Sequence, residues 1–188
     1  MNIGGKQFDT ENNTYIMGIL NVTPDSFSDG GRYNNMEAAL RHAEQMVREG
    51  ADILDVGGES TRPGHIQITD EEEAARVVPV IRALKKEFDV PVSIDTYKSR
   101  VAEAALDAGA DLVNDIWGLK YDDRMAEVIA GYHAACCLMH NRDTAVYREF
   151  LPDFMEDMRQ CVRLARDAGI REDGICLDPG VGFGKTYE

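Results

Sequence analysis

Short apolar runs alternate with longer amphipathic stretches from Tyr15 onward. Residues 15–20 predict a first strand, and residues 36–49 a helix with Met36, Leu40, Ala43 and Val47 on one face. Ile53-Leu54-Asp55-Val56 predicts a second strand. The next helix opens on a capping box, Thr69-Asp70-Glu71-Glu72, and carries an apolar stripe of Val77, Ile81, Leu84 and Phe88. Pro79 lies inside it and is expected to kink it. Residues 92–94, 112–114, 134–139 and 175–177 predict four further strands. Helices over 98–108, over 122–130 and through Phe154, Met158, Cys161 and Ala165 separate them. Six strands with a helix between each pair require a parallel sheet, hence an α/β fold.

A weak internal repeat supports this order. Gly50-Ala51-Asp52-Ile53-Leu54-Asp55 and Gly109-Ala110-Asp111-Leu112-Val113-Asn114 both place a glycine between the end of a helix and the start of a strand, and Gly169 stands in a similar place. Glycine takes the left-handed conformation that closes a helix. Repeated units of this kind suit a closed barrel and a doubly wound sheet equally well. No Pro/Ser-rich linker divides the chain, so residues 1–188 read as a single domain.

Composition narrows the picture. A formal net charge of -14 argues against nucleic acid or an acidic membrane surface as partner, though not against a small anion held by a few local cations. No apolar run is long enough to span a bilayer or to act as a secretory signal, which predicts a cytoplasmic location. Cys136, Cys137, Cys161 and Cys176 form no C-x-x-C pair and are expected to be reduced and buried.

Candidate chemistry gathers where the strands end. Asn21, Glu59 to Arg62, Asp95, Asn114 with Asp115, His140 to Arg142, and Asp178 each follow or close a predicted strand. Carboxyl ends of parallel strands share one edge of the sheet, and one shared cleft is the economical reading of so many polar residues there. Two connections are longer than a tight turn needs. Residues 21–31 contain two adjacent glycines and read as a lid. Residues 57–64 offer Arg62, a guanidinium suited to bidentate phosphate contact.

Within these loops the sequence is similar to a known family. Met17-Gly18-Ile19-Leu20-Asn21-Val22-Thr23-Pro24-Asp25-Ser26-Phe27-Ser28-Asp29-Gly30-Gly31 and Gly57-Gly58-Glu59-Ser60-Thr61-Arg62-Pro63-Gly64 resemble the two signature segments of the dihydropteroate synthases. Segments 93–98, 113–116, 138–142 and 177–185 match further blocks of that family in order. The resemblance implies a (β/α)8 TIM barrel, of which this chain carries about six strands and five helices. It implies condensation of 6-hydroxymethyl-7,8-dihydropterin pyrophosphate with p-aminobenzoate, with release of pyrophosphate and magnesium (Mg2+) as cofactor.

By the same resemblance, Asp95, Asn114 and Asp178 form the pterin pocket, with Met139 and Phe183 packed around it. Asn21 is the metal contact. Asp29 and Arg62 close over the pyrophosphate and, with Asp95, serve catalysis. Phe27, Thr61 and Pro63 wall the p-aminobenzoate site, where sulfonamides compete. His140 reads as structural, because an aniline is already a usable nucleophile. The family also dimerises, and its barrel continues through two more strands that bear a lysine, an arginine and a histidine. The expectation is therefore a C-terminally truncated domain, nearly inactive alone, from a homodimeric parent. Two other readings stand beside it. One is a non-catalytic pterin-binding module. The other is a nucleotide site at Gly182-Phe183-Gly184-Lys185-Thr186, which lacks the phosphate-loop glycine where Pro179 stands.

Overall fold

The structure, a computed structural model, describes residues 1–23, 32–59 and 67–186, with only the backbone described for residues 32–35. A small hairpin comes first, β1 (Asn2–Ile3) and β2 (Lys6–Gln7). Then β3 (Met17–Asn21), α1 (Arg32–Glu49), β4 (Ile53–Gly57), α2 (Asp70–Glu87), β5 (Val92–Asp95) and α3 (Ser99–Asp107) follow. The chain continues with β6 (Leu112–Asp115), α4 (Met125–Gly131), β7 (Ala135–Met139), α5 (Phe150–Asp167), a 3-10 turn at Glu172–Gly174, and β8 (Ile175–Asp178).

Strands β3 to β8 form one sheet whose spatial order is their chain order, and every neighbouring pair is parallel. A doubly wound sheet would reverse its order at a switch point; an unbroken order is that of a barrel. The sheet is also curled. Asn114 of β6 donates from Nδ2 to Asp55 Oδ2 of β4 at 3.0 Å, although β5 lies between them. In a flat sheet those two backbones would stand about 10 Å apart with parallel side chains. Their meeting requires the strands to bend around an interior, as the six units of a (β/α)8 barrel do.

Alternation along each strand sorts the residues. Outward positions Leu54, Val56, Ile94, Val113, Cys136 and Leu138 pack with Val77, Ile81 and Leu84 of α2, Val101 and Ala105 of α3, Ile129 of α4, and Cys161 and Ala165 of α5. Inward positions at the strand starts, Ile53, Leu112 and Ala135, meet Ile3 and Phe8 of the N-terminal segment. The hairpin was not evident from periodicity, since each of its strands is only two residues long. Its signal is Gly4-Gly5, at φ 58° and 79°, a pair suited to the two-residue turn that joins tightly paired strands.

Several local expectations hold and others need correction. Gly50, Gly109 and Gly169 close α1, α3 and α5 at φ 109°, 106° and 89°. Thr69 caps α2 by accepting from the Glu72 amide at 3.2 Å, but Glu72 reaches forward to Arg76 instead of completing the box. Helix α2 runs without a break from Asp70 to Glu87 with Pro79 inside it. Asp122 does not start α4; its carboxylate accepts from the Ser99 amide at 2.8 Å and so caps α3. Cys136 and Cys161 are buried as expected, whereas Cys137 and Cys176 are only half-buried, and all four are free thiols. None of the helices among the described residues is long and apolar enough to cross a membrane.

The hairpin's contribution is measurable. Ile3 is 2% exposed and seals the strand starts. Ile3→Ala is expected to cost about 2–5 kcal/mol, as large-to-small core changes do. The readout is the urea midpoint at constant slope, and an unchanged midpoint would mean that the hairpin does not complete the core.

Candidate active site

The register places the inward side chains in layers. Asn21, Gly57, Asp95, Asn114, Cys137 and Cys176 lie side by side across β3 to β8. One layer toward the strand starts are Asp55, Ser93 and Leu112; one layer toward the strand ends are Met139 and Asp178. The interior thus changes from apolar at the floor to polar at the mouth. Asp95, Asn114, Asp178 and Asn21, separated in sequence, share this inner surface.

These side chains are acceptors with few protein donors. Asp55 Oδ1 and Asp95 Oδ1 are shielded from solvent and have no hydrogen-bond partner among the described residues. Burial raises the pKa of Asp55, and the nearby Ser93 hydroxyl and the Asn114 amide only partly oppose it. Asp95 is held well above the usual carboxylate range, first by burial and then by the charges of Asp55, Glu73, Asp115 and Glu59. Asp178 accepts from the Gly180 amide at 2.7 Å through Oδ1. A ligand that presents N–H donors would find unused acceptors here.

An apolar shelf stands over this layer. Tyr97, Ile116 and Met139 form a buried cluster with Trp117 and Phe183 packed against it. Met139 and Phe183 were expected beside a ring. Tyr97 and Ile116 lie within the matching segments 93–98 and 113–116 but carry no expected role there, and Trp117 lies just beyond them. A flat heteroaromatic could lie against this shelf while its edge met the acceptors below.

A niche adjoins the layer at Gly57. A Cβ there would lie 3.0 Å from Asn21 Oδ1 and 3.6 Å from Asp95 Oδ2. Oxygen atoms flanking a gap suit a hard divalent cation, which readily completes its shell with substrate or water oxygens. Among the described residues there is no group of three or more His, Cys, Asp and Glu placed to hold a metal. Such an ion would therefore depend on ligands that the substrate brings.

Other strand-end residues face away from the interior, which corrects the idea that all of them line one cleft. Asp115, 1% exposed, accepts from the backbone N–H of Trp117 at 2.8 Å and of Leu119 at 2.7 Å, and so shapes the turn after β6. Burial pushes its pKa up to about 6 against those donors. His140 lies fully buried between Asp157, 3.0 Å from Nε2, and Lys185, 2.9 Å from Nδ1. Because an ammonium only donates, Nδ1 accepts and Nε2–H donates to Asp157, which leaves no nitrogen free to act as a base. Burial and the Lys185 charge lower its pKa, in keeping with the neutral ring. Lys185 also donates to the carbonyls of Gly180 and Phe183, both at 2.8 Å. That use as an internal tie contradicts the nucleotide-site reading of its motif.

Glu59 has a similar structural use. Lys98 Nζ donates to Glu59 Oε2 at 2.6 Å, to Glu73 Oε2 at 2.7 Å and to the Ile68 carbonyl at 2.8 Å. Tyr97 donates to Glu59 Oε1 at 2.5 Å, and Glu59 also accepts from the Ile68 amide. The end of β4, the approach to α2 and the start of α3 are thereby tied at one point. Phe27, Asp29, Thr61, Arg62 and Pro63, expected around the substrates, lie outside the described residues.

Comparison with known proteins agrees in sequence and in fold. Residues 17–188 match the sequence profile of the family described as pterin binding enzyme. The dihydropteroate synthase of Clostridium beijerinckii is 57% identical over 188 residues, which are 100% of this chain and 70% of that protein. A structure of dihydropteroate synthase from Clostridium difficile, obtained in the presence of pteroic acid, superimposes with a TM-score of 0.92 at 53% identity. It covers 96% of this chain and 69% of that one. The Yersinia pestis dihydropteroate synthase, in complex with a sulfonamide drug, gives 0.88 at 41% identity over 99% of this chain and 70% of its own.

The buried cation gives a prediction independent of function. Lys98, Glu59 and Glu73 have side chains only 5%, 3% and 2% exposed. Lys98→Met would strand two buried carboxylates and is expected to cost about 3–5 kcal/mol in urea unfolding. Adding Glu59→Gln and Glu73→Gln should recover part of that loss. A single variant as stable as the parent would show that water reaches the pair.

Proposed function

The chain belongs to the pterin-binding enzyme family, in its dihydropteroate synthase branch, and we propose that its site joins 6-hydroxymethyl-7,8-dihydropterin pyrophosphate to p-aminobenzoate. The observation that carries the proposal is one inner surface on which Asp95 and Asn114 share a layer and Asp178 stands in the next beside Met139, with Phe183 packed against Met139 and the Asn114 amide nitrogen already engaged by Asp55. A dihydropterin presents a row of amidine-like N–H groups along one edge, complementary to such acceptors.

In the reaction the aniline nitrogen forms a bond to the pterin methylene carbon as the bond from that carbon to the pyrophosphate oxygen breaks. The nitrogen then gives up a proton. Positive charge spreads over the methylene and the ring in the transition state, where Asp95 and Asp178 interact more strongly than in the ground state. Only such differential binding raises the rate. Asn21, with Asp95 across the Gly57 niche, would hold magnesium, which supplies charge neutralisation for the departing pyrophosphate. By family resemblance Asp29 and Arg62 close over the phosphates, while Phe27, Thr61 and Pro63 wall the aminobenzoate. A homodimer acting in the cytoplasm completes the proposal. A pterin-binding module without transfer is the alternative; the dihydropteroate synthase relatives favour the synthase.

Calorimetric titration with dihydropterin pyrophosphate and magnesium, followed by p-aminobenzoate and an assay for dihydropteroate, tests the reading. Binding is expected, with little product from this chain alone; pterin binding with no p-aminobenzoate-dependent product at all would favour the module. Asp95→Asn and Asp178→Asn are each expected to lower kcat/KM by about 100-fold, the scale of losing one charge-stabilising partner. Chelation of magnesium should suppress turnover, and added magnesium should restore it. Turnover indifferent to chelation would remove the metal from the proposal.

A further inference from the structure

We infer that Asp55 is a positioning residue for pterin recognition, fixing which atom of the Asn114 side-chain amide is presented to the ligand; the inference rests on the pterin-binding reading above. Asp55 stands in the middle of β4 between two fully buried apolar residues, Leu54 and Val56, and is itself 4% exposed. Its Oδ2 lies 3.0 Å from Asn114 Nδ2 across the curled sheet. An ionised carboxylate accepts and cannot donate, so it holds the amide nitrogen toward itself. The carbonyl oxygen of Asn114 is then the atom left for a ligand. It joins Asp95, its neighbour in the same layer, to form an acceptor-only edge.

The contact also pairs equivalent positions. Asp55 and Asn114 are the sixth residues of the two repeated segments that begin at Gly50 and Gly109, and the barrel's curvature brings them together. One of the pair orients, and the other is oriented.

Stability alone gives little reason for this carboxylate. Its Oδ1 has no partner among the described residues, and burial raises its pKa. A buried polar atom left unsatisfied opposes folding, and an apolar residue of similar shape commonly serves the fold as well or better. Without Asp55 the amide is free to turn over. It would then set its NH2 against the pterin N–H groups, donor against donor, and the ligand would lose an acceptor as well.

The test compares the protein with Asp55→Val and Asp55→Asn. Three quantities are read: calorimetric affinity for dihydropterin pyrophosphate with magnesium, KM for p-aminobenzoate, and the thermal midpoint. Asp55→Val is nearly isosteric but has no acceptor, and should weaken pterin binding roughly 10- to 100-fold. Its aminobenzoate KM should change by less than about twofold and its midpoint should not fall. Asp55→Asn keeps a carbonyl that can accept from Asn114 and should lose only about 3- to 10-fold. Unchanged pterin affinity in Asp55→Val overturns the inference. So does a fallen midpoint with both substrates weakened alike, which is the signature of a structural role. If Asp55→Val does not fold, Asp55→Asn binding pterin as the parent does overturns it instead. A parent protein that binds no pterin fails the functional reading itself, an outcome distinct from these.

Discussion

The structure depends on the constraint that each strand of the curled sheet has two faces with different obligations. The outer face must be apolar because α2 to α5 lie against it, and Leu54, Ile94, Val113 and Leu138 meet that demand. The inner face needs to be apolar only where the hairpin closes the floor, at Ile53, Leu112 and Ala135. Higher on the same strands the inner positions are released from packing, and Asp55, Ser93, Asp95 and Asn114 occupy them. The candidate site is thus placed by the period of the strand, with helices packed on the opposite face of the sheet.

Charge at the mouth follows a second division. Lys98 is held between Glu59 and Glu73, Lys185 against His140 and two carbonyls, and Arg142 against Asp157 at 2.6 Å. These cations fasten strand ends to helices and face away from the interior. The interior is left with buried carboxylates whose neighbours are carboxylates, and burial first, then those charges, hold Asp95 well above its ordinary pKa. A site of that kind favours a ligand edge rich in donors and repels an anion. A diphosphate leaving group therefore needs a cation brought with it or a guanidinium from a loop, which is the part given to magnesium and Arg62 in the proposed reaction.

Much of this was legible in the sequence. Periodicity gave the six strands of the sheet and the helices between them, because burial on one face leaves its mark every second or every third to fourth residue. It could not distinguish a barrel from a doubly wound sheet, since each helix-to-strand unit is locally alike in both; the Asn114 to Asp55 contact decides that, and it is long-range. Motif positions singled out Asp95, Asn114 and Asp178, which the structure brings to one inner surface, yet motifs do not carry parity. Asn114 and Asp115 are adjacent, but one faces the interior and the other supports a turn. His140 follows Met139 and likewise turns away, toward α5. Glu59 and Lys98 belong to conspicuous segments, but their partnership joins residues 39 apart and leaves no local trace.

Asp55 shows how a local inconsistency can point to function. A carboxylate within Ile53-Leu54-Asp55-Val56 contradicts the burial of its own strand, and the fold does not fully satisfy it. Residues that serve only the fold tend to agree with their surroundings at every level, and departures gather where another demand is met. The same holds for Asp95, whose unpartnered oxygen opposes folding when the site is empty and becomes useful when donors arrive. Free energy withheld from folding by these two side chains is available to ligand binding, so the part of the interior that the fold leaves unsatisfied is also prepared to receive a donor-rich ring.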